Sequence, residues 1–266
     1  MDAKEHSAPL QTTSPLYGLS AEARPGDVPW TAITSLIALF VAVAGVALLV
    51  AALGLAGTGP GQDAQGASLS VAISALVSTV IVDSWFVGVA WWNSLRRFAL
   101  PATSWGFRRL ERRSLLLVLV ALGVVYFSLV VYTAAYSSLF GPPPEQTVIK
   151  DFPHTGAGLA LFAVMAIVVA PVFEETFFRG FLFQGLARSW GVLTGAIVSA
   201  GVFALAHQQL SVIVPFFVLG LLLAWVFYRS RSLWANVALH ASFNGISVLL
   251  WTAIGTAPPG HLLLWH

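Results

Sequence analysis

The feature that most constrains this chain is a series of apolar runs too long for a soluble core to absorb. No charged residue occurs between Asp27 and Asp63, and a helix crossing the hydrocarbon core of a bilayer needs roughly 20 apolar residues. Of the 266 residues, 58% are hydrophobic and 9% charged, with mean hydropathy +0.83. Soluble domains carry roughly 25% charge. Backbone groups in lipid must be hydrogen-bonded internally, so the runs read as helices and not as open strands. The expected fold class is all-α, a polytopic transmembrane helical bundle of about seven spans.

The spans read as Trp30 to Leu55, Ser70 to Trp92, Ser114 to Phe140, Gly156 to Trp190, Val192 to His207, Ser211 to Tyr228 and Leu233 to Ile254. The breaker Gly141-Pro142-Pro143-Pro144 separates the third from the fourth. This divides the chain into a disordered cytosolic tail over residues 1–28, a three-span region over 29–140 and a four-span core over 141–266. The tail is polar, contains Pro9, Pro15 and Pro25, and lacks the short apolar core of a signal peptide. Pro215 is expected to kink the sixth span. Trp91 and Trp92 read as interfacial belt residues.

Charge placement sets an expected orientation. Arg96, Arg97, Arg108, Arg109, Arg112 and Arg113 lie between the second and third spans, against Glu111 alone. By the positive-inside rule that loop is cytosolic. Counting onward puts Arg188, Arg229 and Arg231 on the same side, so the N-terminus is cytosolic and the protein is an integral, multi-pass membrane protein, of the plasma membrane if bacterial. The expected partner is the lipid bilayer. A net charge of +2 offers nothing for nucleic acid, and the absence of cysteine excludes disulfides, thiolate metal sites and a cysteine nucleophile.

Ionisable residues inside such spans cost roughly 2.5–3.5 kcal/mol each on insertion scales and are functional candidates by default. In the last four spans they are Glu174, Glu175, Arg179, His207 and His240, joined by the polar Asn244. Glu175 and Arg179 stand four apart, meet on one helix face and can pair, which leaves Glu174 for other work. Pro171 frees a backbone carbonyl just before them. Glu174 lies sixteen residues before Trp190 and His207 sixteen after Gly191, so antiparallel helices bring the two to similar depth. His240 lies only nine residues past Arg231, and a helix tilt is expected to make up the difference. Asp83, in the second span, is expected to bond a neighbouring helix. The set fits catalysis or ion and proton transport.

There is no H-E-x-x-H zinc motif and no G-x-S-x-G elbow. The remaining chemistry is a carboxylate and an imidazole that activate water, with imidazole and amide groups for an oxyanion. The ordered patterns Glu174-Glu175-x-x-x-Arg179, Phe203-x-x-x-His207 and His240-x-x-x-Asn244 resemble the CPBP family of intramembrane proteases, which includes type II CAAX prenyl endopeptidases and bacteriocin-processing-like proteins. The resemblance covers about residues 155 to 250. It implies a peptide-bond hydrolase acting on a peptide or membrane-anchored protein. In it Glu174 and His207 would activate water, His240 and Asn244 would form the oxyanion hole, and Glu175 and Arg179 would support them. No cofactor is expected; the alternative is zinc held by the two histidines and a glutamate. The non-enzymatic alternative is a membrane scaffold, immunity factor or small-solute transporter of the same fold.

Overall fold

A computed structural model describes residues 24–52, 69–141, 156–208 and 210–254. Among them there is no strand, and seven helices carry the chain: α1 (Ala32–Ala52), α2 (Leu69–Trp91), α3 (Arg112–Phe140), α4 (Gly156–Trp190), α5 (Val192–Ala206), α6 (Ile213–Ser230) and α7 (Leu233–Ile254). Six are long and apolar enough to cross a membrane, and α5 is a shorter apolar helix. Large apolar side chains face outward along them, as with Phe127 at 71% and Leu139 at 74% exposure. So much exposed hydrocarbon is untenable in water and is what a lipid-facing surface requires.

The expected tail lies outside the described residues as far as residue 23. Its last residues are packed rather than disordered. Arg24 donates its backbone N–H to Asp27, Val28 and Trp30 are fully buried, and Arg188 donates to the Val28 carbonyl. Pro215 falls in the first turn of α6 and does not kink it. First-turn N–H groups have no intrahelical partner, so a proline there forfeits no hydrogen bond.

The core is formed where α4 is wrapped by the others. Phe177, Phe181, Phe203, Leu219, Leu223 and Leu239 are buried together. The three N-terminal helices pack directly on the C-terminal four, α2 along α4 and α3 against α6 and α7. Gly220 permits a close approach, since a Cβ there would stand 2.9 Å from the Ala200 Cα on α5.

Helix α4 is not a uniform α-helix. It widens to π-helical turns at Met165–Val169 and Thr176–Phe183. Side chains from three places serve the second stretch: Trp30 donates to the Phe181 carbonyl, Ser199 to that of Phe178 and Gln184 to that of Gly180. Such bulges recur at functional sites.

The start of α1, the α2–α3 connection, the α4–α5 turn and the α6–α7 turn gather at one end. Ala32 bonds Ser189, Gln184 bonds the Ser104 carbonyl, and Leu233 bonds the Gly106 carbonyl. All the arginines used to set the orientation therefore belong to a single end of the bundle. The same contacts explain the depth of His240. Leu233 and Trp105 pack against Gly180, so α7 begins level with Gly180 while α4 runs on to Trp190. Measured from that level, Glu175 lies five residues in and His240 seven, and no tilt is needed to bring them together.

Candidate active site

Glu175 is the centre of the site. Its carboxylate is fully buried and saturated: Oε1 accepts from Arg179 Nη1 at 2.9 Å and from His240 Nδ1 at 2.9 Å, while Oε2 accepts from Asn236 Nδ2 at 3.1 Å. Arg179, also fully buried, extends Nη2 to the Gly220 carbonyl at 3.2 Å. Its guanidinium lies 4.5 Å from the ring centroid of Phe203. Burying the Glu175–Arg179 pair is eased because Glu175 accepts three hydrogen bonds and Arg179 donates two, although the enclosed Arg179 Nε finds no partner among the described residues. The pairing expected from the four-residue spacing is present.

Asn236 is the residue that sequence reasoning missed. It is fully buried and also donates to the Leu223 carbonyl at 2.8 Å, tying α7 to α6. The signal was present: Asn236, His240 and Asn244 recur every four residues and mark one polar stripe along an apolar helix.

Phe203 organises the two histidines. His240 packs edge-on to its ring at 5.8 Å and His207 at 4.8 Å. His207 follows the last residue of α5, stacks on Phe216 at 4.0 Å and bonds its Nδ1 to the Phe203 carbonyl at 2.8 Å. A carbonyl only accepts, so Nδ1 carries the proton and Nε2 is the acceptor nitrogen. His240 has the same polarity, because its Nδ1 meets a carboxylate. Both imidazoles are thus oriented through Nδ1, as functional histidines commonly are.

Asn244 has a role the sequence did not reveal. Its Nδ2 donates to the Ala166 carbonyl at 2.7 Å. In the π-helical register of Met165–Val169 the Met165 carbonyl bonds the Ala170 N–H. The next carbonyl, Ala166, would call on residue 171, a proline with no N–H. The Asn244 amide takes up that orphaned carbonyl, which locks α7 to α4 and leaves its second N–H for other use.

Glu174 contrasts with its neighbour. It is half-buried, and its Oε2, though enclosed, has no hydrogen-bond partner among the described residues. It acts electrostatically on Arg179 and on Asp83 of α2. Asp83 is likewise half-buried with an enclosed, unbonded Oδ2. Asp83 makes no hydrogen bond to a neighbouring helix among the described residues, and its carboxylate lies within electrostatic range of Glu174. The chain after α5 leaves regular geometry at this depth, with Gln208 at φ 55° and a 3₁₀ turn at Leu210–Val212. Tyr132 of α3 donates to the Ser211 carbonyl at 2.9 Å and satisfies part of it. Irregular backbone within a membrane persists where it is buried in protein or lines a wet cavity. Among the described residues, no three His, Asp or Glu side chains converge in a way that could hold a metal ion.

The helices that carry this arrangement, from the start of α4 into α7, also carry the likeness to known proteins. Residues 156–246 match the family described as type II CAAX prenyl endopeptidase Rce1-like. The resemblance drawn from the three motifs stands. The Rce1-like segment contains the carboxylate pair, Arg179, both histidines, Asn236 and Asn244, and it excludes Asp83. The Bacillus subtilis (strain 168) protein named "Putative membrane peptidase YdiL" is 22% identical over 90 residues, covering 34% of this chain and 37% of that protein. The chain thus matches little more than a third of that relative's length. No solved structure matches the chain.

Proposed function

We propose that this protein is an intramembrane endopeptidase, metal-free, that cleaves a peptide or membrane-anchored protein. The observation that carries the reading is the division between two adjacent carboxylates. Glu175 is consumed by structure, whereas Glu174 keeps an enclosed oxygen with no partner among the described residues. Such an oxygen is suited to hold a water and take its proton. In this reading the water oxygen attacks the scissile carbonyl carbon as its proton passes to Glu174. The Nε2 of His207 accepts the water's second hydrogen bond. The oxyanion is held by His240 and by the second N–H of Asn244. To donate from Nε2, His240 must carry both ring protons, and Glu175 together with Glu174 balances the charges of His240 and Arg179. Glu174 then returns the proton to the leaving amine.

The reading places the arginine-rich end in the cytosol, as the positive-inside rule requires. Its test is cleavage of a peptide library by the full chain in proteoliposomes. Glu174→Gln should abolish turnover at unchanged thermal stability, since the swap is nearly isosteric. A Glu174→Gln variant that cleaves at the parent rate sinks the mechanism, and a parent protein that cleaves nothing favours the scaffold or transporter alternative.

A further inference from the structure

Outside the candidate active site, the arginine-rich end holds a cleft of about 460 Å³, within the size range of small-ligand sites. Arg108, Arg109, Arg113, Arg229 and Arg231 line it, against Glu111 alone, which is paired with Arg113. These arginines come from two stretches of chain more than a hundred residues apart, the loop leading into α3 with its first turn and the last turn of α6 with the residue after it. The two are fastened together by Ser232 Oγ donating to the Arg108 carbonyl at 2.9 Å and Leu233 N–H to the Gly106 carbonyl at 2.7 Å.

A topology signal needs arginines in the right loops; it has no need for them to converge. Convergence costs repulsion here. Burial holds the Arg108 guanidinium below its usual range, and the positive charge of Arg231 pushes it the same way. Arg231 takes φ 55° as the left-handed C-cap that ends α6, which fixes it beside Arg108. Like-charge crowding of this kind persists only where the surroundings impose it.

The cleft continues along the first turns of α3, past Ser114 to Leu117. Beside it, Leu116 and Leu119 are exposed at 66% and 64%, on the lipid-facing flank of the same helix. The site is therefore charged where guanidinium forks can grip phosphate oxygens and apolar where chains would run. We infer that this cleft binds a phosphate-bearing ligand, the headgroup of an anionic membrane phospholipid, with its acyl chains lying along α3. The inference does not depend on the protease reading.

Native mass spectrometry of the delipidated full chain in detergent tests it, with phosphatidylglycerol, phosphatidylcholine and inorganic phosphate offered separately and in competition. Phosphatidylglycerol should bind one to one in preference to phosphatidylcholine. The double variant Arg109→Gln/Arg229→Gln should weaken it by about tenfold or more. Both side chains are exposed, so the thermal midpoint should hold. Arg96→Gln/Arg97→Gln removes the same charge outside the cleft and should leave binding within about twofold. Equal weakening by the two pairs overturns the inference, because it signals general attraction to a basic end. Equal binding of phosphatidylcholine overturns it too. Inorganic phosphate that displaces phosphatidylglycerol at equal concentration assigns the site to a soluble phosphate and overturns the lipid source.

Discussion

Replacing Arg179 by methionine removes the cation from the buried centre while keeping most of its apolar volume. Three contacts are lost together: the 2.9 Å bond to Glu175, the 3.2 Å bond to the Gly220 carbonyl and the stack over Phe203. Glu175 stays fully buried with His240 and Asn236 as its remaining partners. Breaking a buried pair on one side costs about 3–5 kcal/mol, a loss of roughly two to three and a half decades in the folded ratio. Much of that is the penalty of a stranded charge, so Glu175→Gln/Arg179→Met should recover a large part of it. The two sites should show a coupling of about 2 kcal/mol or more. Unfolding in bicelles, followed by tryptophan fluorescence and compared across parent, both singles and the double, measures this directly. The double should remain inactive, since His240 loses the carboxylate that orients it. An Arg179→Met midpoint equal to the parent, or a double as destabilised as the two singles summed, refutes the account of the centre.

Three further expectations can be checked alongside. Asn244→Ala should slow turnover about 10²–10³-fold if its second N–H holds the oxyanion. It should also lower the unfolding midpoint, because the Ala166 carbonyl loses its donor; a rate change with no midpoint change argues against the α4–α7 lock. Chelator should leave activity intact and purified protein should hold no stoichiometric zinc, measured by elemental analysis; loss restored by zinc alone would replace the glutamate mechanism with a metal one. In the cysteine-free background, Thr103→Cys and Ser138→Cys sit at opposite ends of the α2–α3 region and should label from opposite faces of oriented vesicles, Thr103→Cys from the cytosolic one. Labelling of both from one face contradicts the orientation.

The spans were legible because lipid imposes one rule on every backbone group, and run length plus breakers such as Gly191 then fix the helices within a few residues. The Glu175–Arg179 pair was legible because i, i+4 geometry is local. What could not be read is what depends on several helices at once. Nothing local to α4 says that it outruns the start of α7, so counting inward from Trp190 misjudged His240. The partner of Asn244 depends on the π register at Ala166, which itself depends on Pro171 and on packing. Glu175 was expected to support the site, but that it accepts from three donors on α4 and α7 could not be read locally. Asn236 was passed over because an asparagine in a helix draws less notice than a charge, although its spacing from His240 gave it away.

The shortness of α5 has a consequence for the membrane itself. Its 15 residues span about 22 Å, against a hydrocarbon thickness of about 30 Å. Lipids beside Val192–Ala206 and the irregular chain that follows must shorten, splay or let headgroups sink to meet the polar backbone. Where α5 meets lipid across its whole length, the bilayer next to His207 would have to thin. Under the protease reading, such a dimple would lower the elastic barrier to drawing a polar segment sideways toward the site, and turnover would depend on acyl-chain length. Lipids with longer, stiffer chains would raise the cost of such a dimple, so the bilayer's own bending energy would become part of what the protein works with.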